Sequence, residues 1–217
     1  DYPRGGRHPA LSQQRIAVLV SGGGSNLQAL IDAVEAGSIK GQLELVIADR
    51  QESYALERAK NHGIPAKLID RKACKDKGDF DRQLLDCLKA LEPDLIVLAG
   101  YLSIISKELV KEYQGKIINI HPSLIPSFCG KGFYGEKVHQ AAIDYGVKLS
   151  GATVHFVDEN TDTGPIILQE AVPVLPSDDA KALAARVLKI EHKLIVNGVA
   201  LYCDHRIKIE GRKVSIL

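Results

Sequence analysis

Three short stretches of this chain carry residue types able to work on a carbonyl group. The first is Asn119-Ile-His121-Pro-Ser-Leu-Ile-Pro126, at the end of an apolar run. On a strand, residues two apart share a face, so the Asn119 amide and the His121 imidazole point the same way. Together they offer a donor for a developing oxyanion and an acid/base group titrating near neutrality. Asn119 interrupts the apolar run, and a buried amide left without partners costs ~1–3 kcal/mol. Pro122 pushes His121 toward extended backbone, which projects its ring from the strand end. For Asn119 or His121 alone, satisfying a loop is the simpler reading; the joint pattern with two prolines favours chemistry.

The second stretch is Ser21-Gly-Gly-Gly-Ser-Asn26, between a strand-like run and a helical pattern. Glycines allow a tight turn that brings backbone N–H groups close to a ligand, the following helix presents its positive end, and Ser25 is placed as its N-cap. Leu27 stands where a dinucleotide fingerprint needs its third glycine, and no Gly-Lys-Ser/Thr follows. A phosphate seat fits this pattern better than a dinucleotide site, and a tight turn that binds nothing is the plain alternative. The third stretch, Asp158-Glu159-Asn160-Thr161-Asp162-Thr-Gly-Pro165, reads in isolation as a solvated loop. A carboxylate from it beside His121 would hold the imidazolium and raise its pKa.

The other histidines read more plainly. His155 is expected in a core strand, His139 on a short helix, and His62 and His205 at the surface. His8 falls in the tail. Glu191-His192 lies in a long helix, where a Glu is usually exposed. No three His or carboxylates fall at zinc-like spacing, so no metal is expected.

These stretches need a frame. Short apolar runs at 16–20, 43–47, 66–69, 95–99 and 117–120 read as strands buried on both faces, with helices over 27–36, 53–62 and 80–91 between them. Such alternation gives right-handed crossovers and a parallel sheet covered on both sides. Residues 150–157 and 166–174 alternate only in part. A helix over 180–201 follows, then a hairpin at 206–216. The expected fold is α/β: a Rossmann-like open, mostly parallel twisted sheet with helices on both faces and antiparallel additions in the C-terminal half. Residues 1–14 read as a flexible tail and 15–217 as one domain.

Composition narrows the function. The 217 residues are 45% hydrophobic and 25% charged, as in ordinary globular proteins, and the formal net charge of +1 provides no global field for nucleic acid or an anionic membrane. No run approaches the ~18 apolar residues of a membrane span. The four cysteines, at 74, 87, 129 and 203, are not paired at metal-ligand spacing. A cytoplasmic location and a monomer or homodimer are expected.

Taken together, Arg15-Ile-Ala-Val-Leu-Val-Ser-Gly-Gly-Gly-Ser-Asn-Leu-Gln28, Leu98-Ala-Gly-Tyr101, Asn119-Ile-His-Pro-Ser-Leu-Ile-Pro126 and Val154-His-Phe-Val157 followed by Asp162-Thr-Gly-Pro-Ile166 resemble the phosphoribosylglycinamide formyltransferases of de novo purine synthesis, within the formyltransferase superfamily. The resemblance covers roughly 15–200. It implies transfer of a formyl group from 10-formyltetrahydrofolate, as co-substrate, to the primary amine of glycinamide ribonucleotide. It further implies catalytic roles for Asn119, His121 and Asp162, a substrate seat at Gly24, Ser25 and Asn26, and a ribose contact at Glu191. Folate contacts are implied for Lys77, Leu102, Ser103, Ile104, Ile105 and Asp158 to Asp162. Ser103 stands where many members have Arg, and Lys77 where many have another basic residue that meets the folate tail. The loop over 129–135 looks longer than in short members, and Leu194-Ile-Val-Asn197 replaces a segment that often carries Tyr-Pro.

Three other functions share parts of this pattern. A formyltetrahydrofolate hydrolase would use the same three polar residues on water but carries an extra N-terminal domain. A methionyl-tRNA formyltransferase would need a further C-terminal domain and a basic surface. A non-catalytic nucleotide-binding module would need the glycine loop alone.

Overall fold

The computed structural model describes residues 13–217. In its first half β1 (Gln14–Val20), α1 (Ser25–Glu35), β2 (Gly41–Ala48), α2 (Ala55–Asn61), β3 (Ala66–Leu68), α3 (Lys77–Leu91), β4 (Leu95–Leu98), α4 (Lys107–Glu112) and β5 (Ile117–His121) alternate strand and helix. Then come α5 (Glu136–Tyr145), β6 (Leu149–Phe156), β7 (Ile166–Pro173), α6 (Ala180–Cys203), β8 (Ile207–Glu210) and β9 (Lys213–Ile216).

Seven strands form one sheet in the order β3-β2-β1-β4-β5-β6-β7, and β8 pairs only with β9. Neighbours from β3 to β5 are parallel. β6 runs antiparallel to β5 and β7 antiparallel to β6. The alternation of strand side chains divides the core in two. Ile16, Val18 and Val20 of β1 join Leu27, Leu30 and Ile31 of α1 and Leu183, Val187 and Ile195 of α6 on one face. Ala17 and Leu19 join Phe80, Leu84 and Leu88 of α3 and Leu109 of α4 on the other. A strand buried on both faces must be apolar throughout, which is why β1 and β4 show no alternation in sequence.

The chain turns outward from β1 in both directions, with β2 and β3 on one side and β4 and β5 on the other. That switch opens a crevice beyond the carboxyl ends of β1 and β4. The two loops there are stitched together: Ser21 N–H donates to Gly100 O at 3.1 Å and Leu102 N–H to the Ser21 hydroxyl at 2.8 Å.

Most boundaries expected from sequence hold within about two residues, but some do not. The tail assignment for 1–12 lies outside the described residues, and Gln14, expected in that tail, already pairs with Gly41. α4 was not anticipated; it is only 6 residues long, and the Ser106 side chain caps it by accepting from Leu109 N–H. Ser25 is not the N-cap of α1. Gly24 takes that place in a left-handed conformation (φ 79°), and Ser25 is the first helical residue.

Gly164 closes the loop that carries Asp162, and a Cβ there would fall on the Phe156 carbonyl oxygen. Gly164→Ala is therefore expected to destabilise the fold by about 1–3 kcal/mol. Calorimetry should show a fall in Tm of roughly 3–10 °C.

Candidate active site

The site is built where β5 ends. Asn119 and His121 are its third and last residues, on one face as their spacing requires. The antiparallel register sets Asn119 opposite His155 of β6, and Asn119 Nδ2 lies 3.2 Å from His155 Nε2. The other His155 nitrogen, Nδ1, lies 2.8 Å from Phe156 O, which can only accept. Nδ1 is thus a donor, and Nε2 faces the Asn119 amide, whose second N–H is uncommitted.

His121 is 4% exposed. Its Nε2 donates to Phe128 O at 2.9 Å, in the loop after β5, which leaves Nδ1 as the nitrogen that gains or loses a proton. Nδ1 faces Asp162 Oδ2 at 3.6 Å. Asp162 Oδ1 lies 3.7 Å from His155 Nε2, and Gly130 N–H donates to Oδ2 at 3.0 Å. The loop joining β6 to β7 therefore brings its carboxylate between both rings. Asp162 itself sits in the left-handed region (φ 58°), which Asp tolerates better than most residues.

The electrostatics correct one expectation. Burial pushes the His121 pKa down, and the Asp162 charge and the bond to Phe128 only partly oppose this. The net shift is downward, not upward, because a ring shut away from water loses more than one carboxylate 3.6 Å away restores. Burial alone would raise the Asp162 carboxyl, but the His155 ring, the His121 charge and the Gly130 N–H outweigh it and hold Asp162 ionised. His139 is buried against this group, its Nδ1 has no partner, and burial with the nearby His121 pushes its pKa down to about 4.

The glycine loop lies beyond β1, two strands from β5. A Cβ on Gly22 or Gly23 would meet nothing within 4 Å, so this backbone faces open space. Two consecutive residues of α6 reach the loop: Asn26 Nδ2 donates to Glu191 Oε1 at 3.4 Å, and His192 Nε2 is 3.1 Å from Ser25 Oγ. Glu191 is buried, against the expectation of an exposed helix residue, and burial raises its pKa to about 7 despite the Asn26 bond. Asn26 Oδ1 has no partner although it is buried.

The residues expected at the folate divide into three groups. Leu102 and Ile104 are exposed large apolar side chains on the loop after β4, and Ile105 is half-buried. In the 158–162 loop, Asp158 accepts from Asn160 N–H and the Thr163 hydroxyl, so it holds the loop's own shape, while Glu159, Asn160 and Thr161 are exposed. Lys77 and Ser103 line a cleft of about 520 Å³ together with Arg50, Arg71, Lys72 and Lys75, and Ile104 borders it as well. Ser103 is committed there: its hydroxyl donates to the buried Asp49 at 2.6 Å, and Lys77 pairs with Asp81 at 3.0 Å.

The formyl transferase family profile matches residues 14–199, from β1 through most of α6. The chain belongs to the formyl transferase family. It is 45% identical over 195 residues to the chloroplastic phosphoribosylglycinamide formyltransferase of Vigna unguiculata, covering 90% of this chain and 62% of that one. With the phosphoribosylglycinamide formyltransferase of Haemophilus influenzae it shares 38% identity over 91% of both chains. The glycinamide ribonucleotide transformylase 1 of Symbiobacterium toebii superposes with a TM-score of 0.89 at 42% identity, over 95% of each chain. The mostly parallel sheet with antiparallel additions is thus the formyl transferase fold. Among the described residues, no helix is long and apolar enough to cross a membrane.

His155 and His192 were not singled out from the sequence as site residues. Strand register alone brings His155 to Asn119, and a 167-residue separation hides the contact of His192 with Ser25. The His155 pairing follows only once β5 and β6 are known to be antiparallel.

Because Glu191 titrates near 7 when folded and near 4.5 when unfolded, the folded chain binds the proton more tightly. Stability is lost as pH rises through that window. Glu191→Gln removes the charge and should raise the stability at pH 8 by on the order of 3 kcal/mol at most, seen as a higher Tm. The gain should shrink toward zero near pH 4.5. Thermal melts of both proteins at pH 5 and 8 check this.

Proposed function

We propose that this chain transfers the formyl group of 10-formyltetrahydrofolate to the primary amine of glycinamide ribonucleotide. The convergence of Asn119, His121 and Asp162 around one point beyond β5, two strands from a glycine loop, carries the reading. The amine nitrogen attacks the formyl carbon, and the carbonyl π electrons move to oxygen. The uncommitted N–H of Asn119 donates to that oxyanion. His121 Nδ1 takes the proton that the amine sheds, and the imidazolium is stabilised by Asp162, which stays a carboxylate. The intermediate collapses, the bond to N10 of the folate breaks, and the His121 imidazolium gives its proton to N10, which restores the neutral ring. A neutral His121 in the resting protein suits a base, and Asp162 matters once the ring is charged.

The remaining assignments follow the same reading. The backbone N–H groups at Gly24, Ser25 and Asn26 hold the ribonucleotide phosphate, and Glu191 takes the ribose. Leu102, Ile104, Ile105 and the 158–162 loop flank the folate ring. Lys77 and the cleft beside Ser103 receive its glutamate tail, where Arg50 and Arg71 offer cations that Ser103 does not. The folate is a co-substrate, and the partners are small molecules.

Deformylation of 10-formyltetrahydrofolate, followed by absorbance with and without glycinamide ribonucleotide, tests this. Turnover should require the amine. Deformylation by water alone would select the hydrolase reading, and binding without turnover the non-catalytic one. Asn119→Ala is expected to lower kcat by ~10²–10³, and His121→Ala by ~10²–10⁴, with ligand affinities changed far less.

A further inference from the structure

His192 touches the phosphate seat without yet having a role in it. Its Nε2 lies 3.1 Å from the Ser25 hydroxyl, next to the contact between Glu191 and Asn26. A hydroxyl has one proton and two lone pairs, so the histidine decides what Ser25 can offer a ligand. If the ring accepts, the Ser25 proton is used up and lone pairs face the seat. If Nε2–H donates, the proton stays available to an anion.

The neighbourhood sets the charge of the ring. Arg58 donates to Gly23 O at 2.8 Å and to Gln28 Oε1 at 3.1 Å, and its guanidinium stacks 5.0 Å above Tyr54, so a fixed cation flanks the loop. Burial and then this Arg58 charge push the His192 pKa down. The ring is neutral at working pH, and what it brings is an oriented N–H rather than a charge. The loop backbone beside it is open at Gly22 and Gly23, where an oxyanion would need donors.

We propose that His192 is a positioning residue for the phosphate of the amine substrate, its Nε2–H donating to Ser25 Oγ and so turning the Ser25 proton toward the glycine loop. This rests on the reading of that loop as the phosphate seat.

The test compares the wild-type chain with His192→Leu and His192→Gln. The Leu variant lacks the donor, and the Gln amide can supply one close to the Nε2 position. Steady-state kinetics should show KM for glycinamide ribonucleotide raised about tenfold in the Leu variant, with the effect falling on that KM rather than on kcat or the folate KM. The Gln variant should recover most of the loss. An unchanged ribonucleotide KM in the Leu variant, or no recovery with Gln in a protein of wild-type Tm, would overturn the proposal. Calorimetric binding of ribose 5-phosphate separates it from the wider functional reading. Weaker binding to the Leu variant supports the role of His192 even if the wild type shows no amine-dependent turnover, and equal binding refutes it.

Discussion

One carboxylate holds the site together. Asp162 stands between two imidazoles, 3.6 Å from His121 and 3.7 Å from His155, and accepts the Gly130 N–H from a third segment. Taking a charge out of water is costly unless it finds opposite charge or donors. Here the Gly130 N–H donates to the carboxylate and two imidazoles flank it, and it stays ionised although largely buried. Four pieces of chain must arrive together for this: the end of β5, the loop after it, β6, and the loop before β7.

The sheet explains how they arrive. Its parallel half opens a crevice in the usual place, at the switch between β1 and β4, with the glycine loop at its edge. Its antiparallel extension does something a parallel strand could not. Because β6 runs back along β5, His155 is set directly opposite Asn119, and the chain leaves β6 beside the start of β5. The loop that follows starts beside Ile117 and must fold back to bring Asp162 to His121. α6 packs across the apolar face and returns Glu191 and His192 to the first turn of α1, so the two halves of the crevice are tied by a single helix.

Much of this was legible in the residues. The strands are continuous apolar runs because both faces are covered, and the Asn119–His121 pair and glycine loop stand out by type and spacing. The meeting of His121 with Asp162 was foreseen only as a condition, since a polar loop alone reads as solvated. The direction of the His121 shift was misjudged because burial is a property of the packed fold; the 4% exposure of that ring outweighs its acidic neighbour. Ser25 was misplaced as a cap because a left-handed Gly24 leaves no mark in the sequence beyond being one of three glycines. His155 looked like a core strand residue, which it is, and its second role depends on register.

The interaction at the centre can be read directly by following the ring nitrogens of His121 by ¹⁵N NMR across pH, in the native chain and in Asp162→Asn. Loss of the carboxylate should lower the His121 pKa further below 6.5, since burial is then opposed by the bond to Phe128 alone. An identical titration in the two proteins would mean that Asp162 does not act on His121 and that the site is not organised around it.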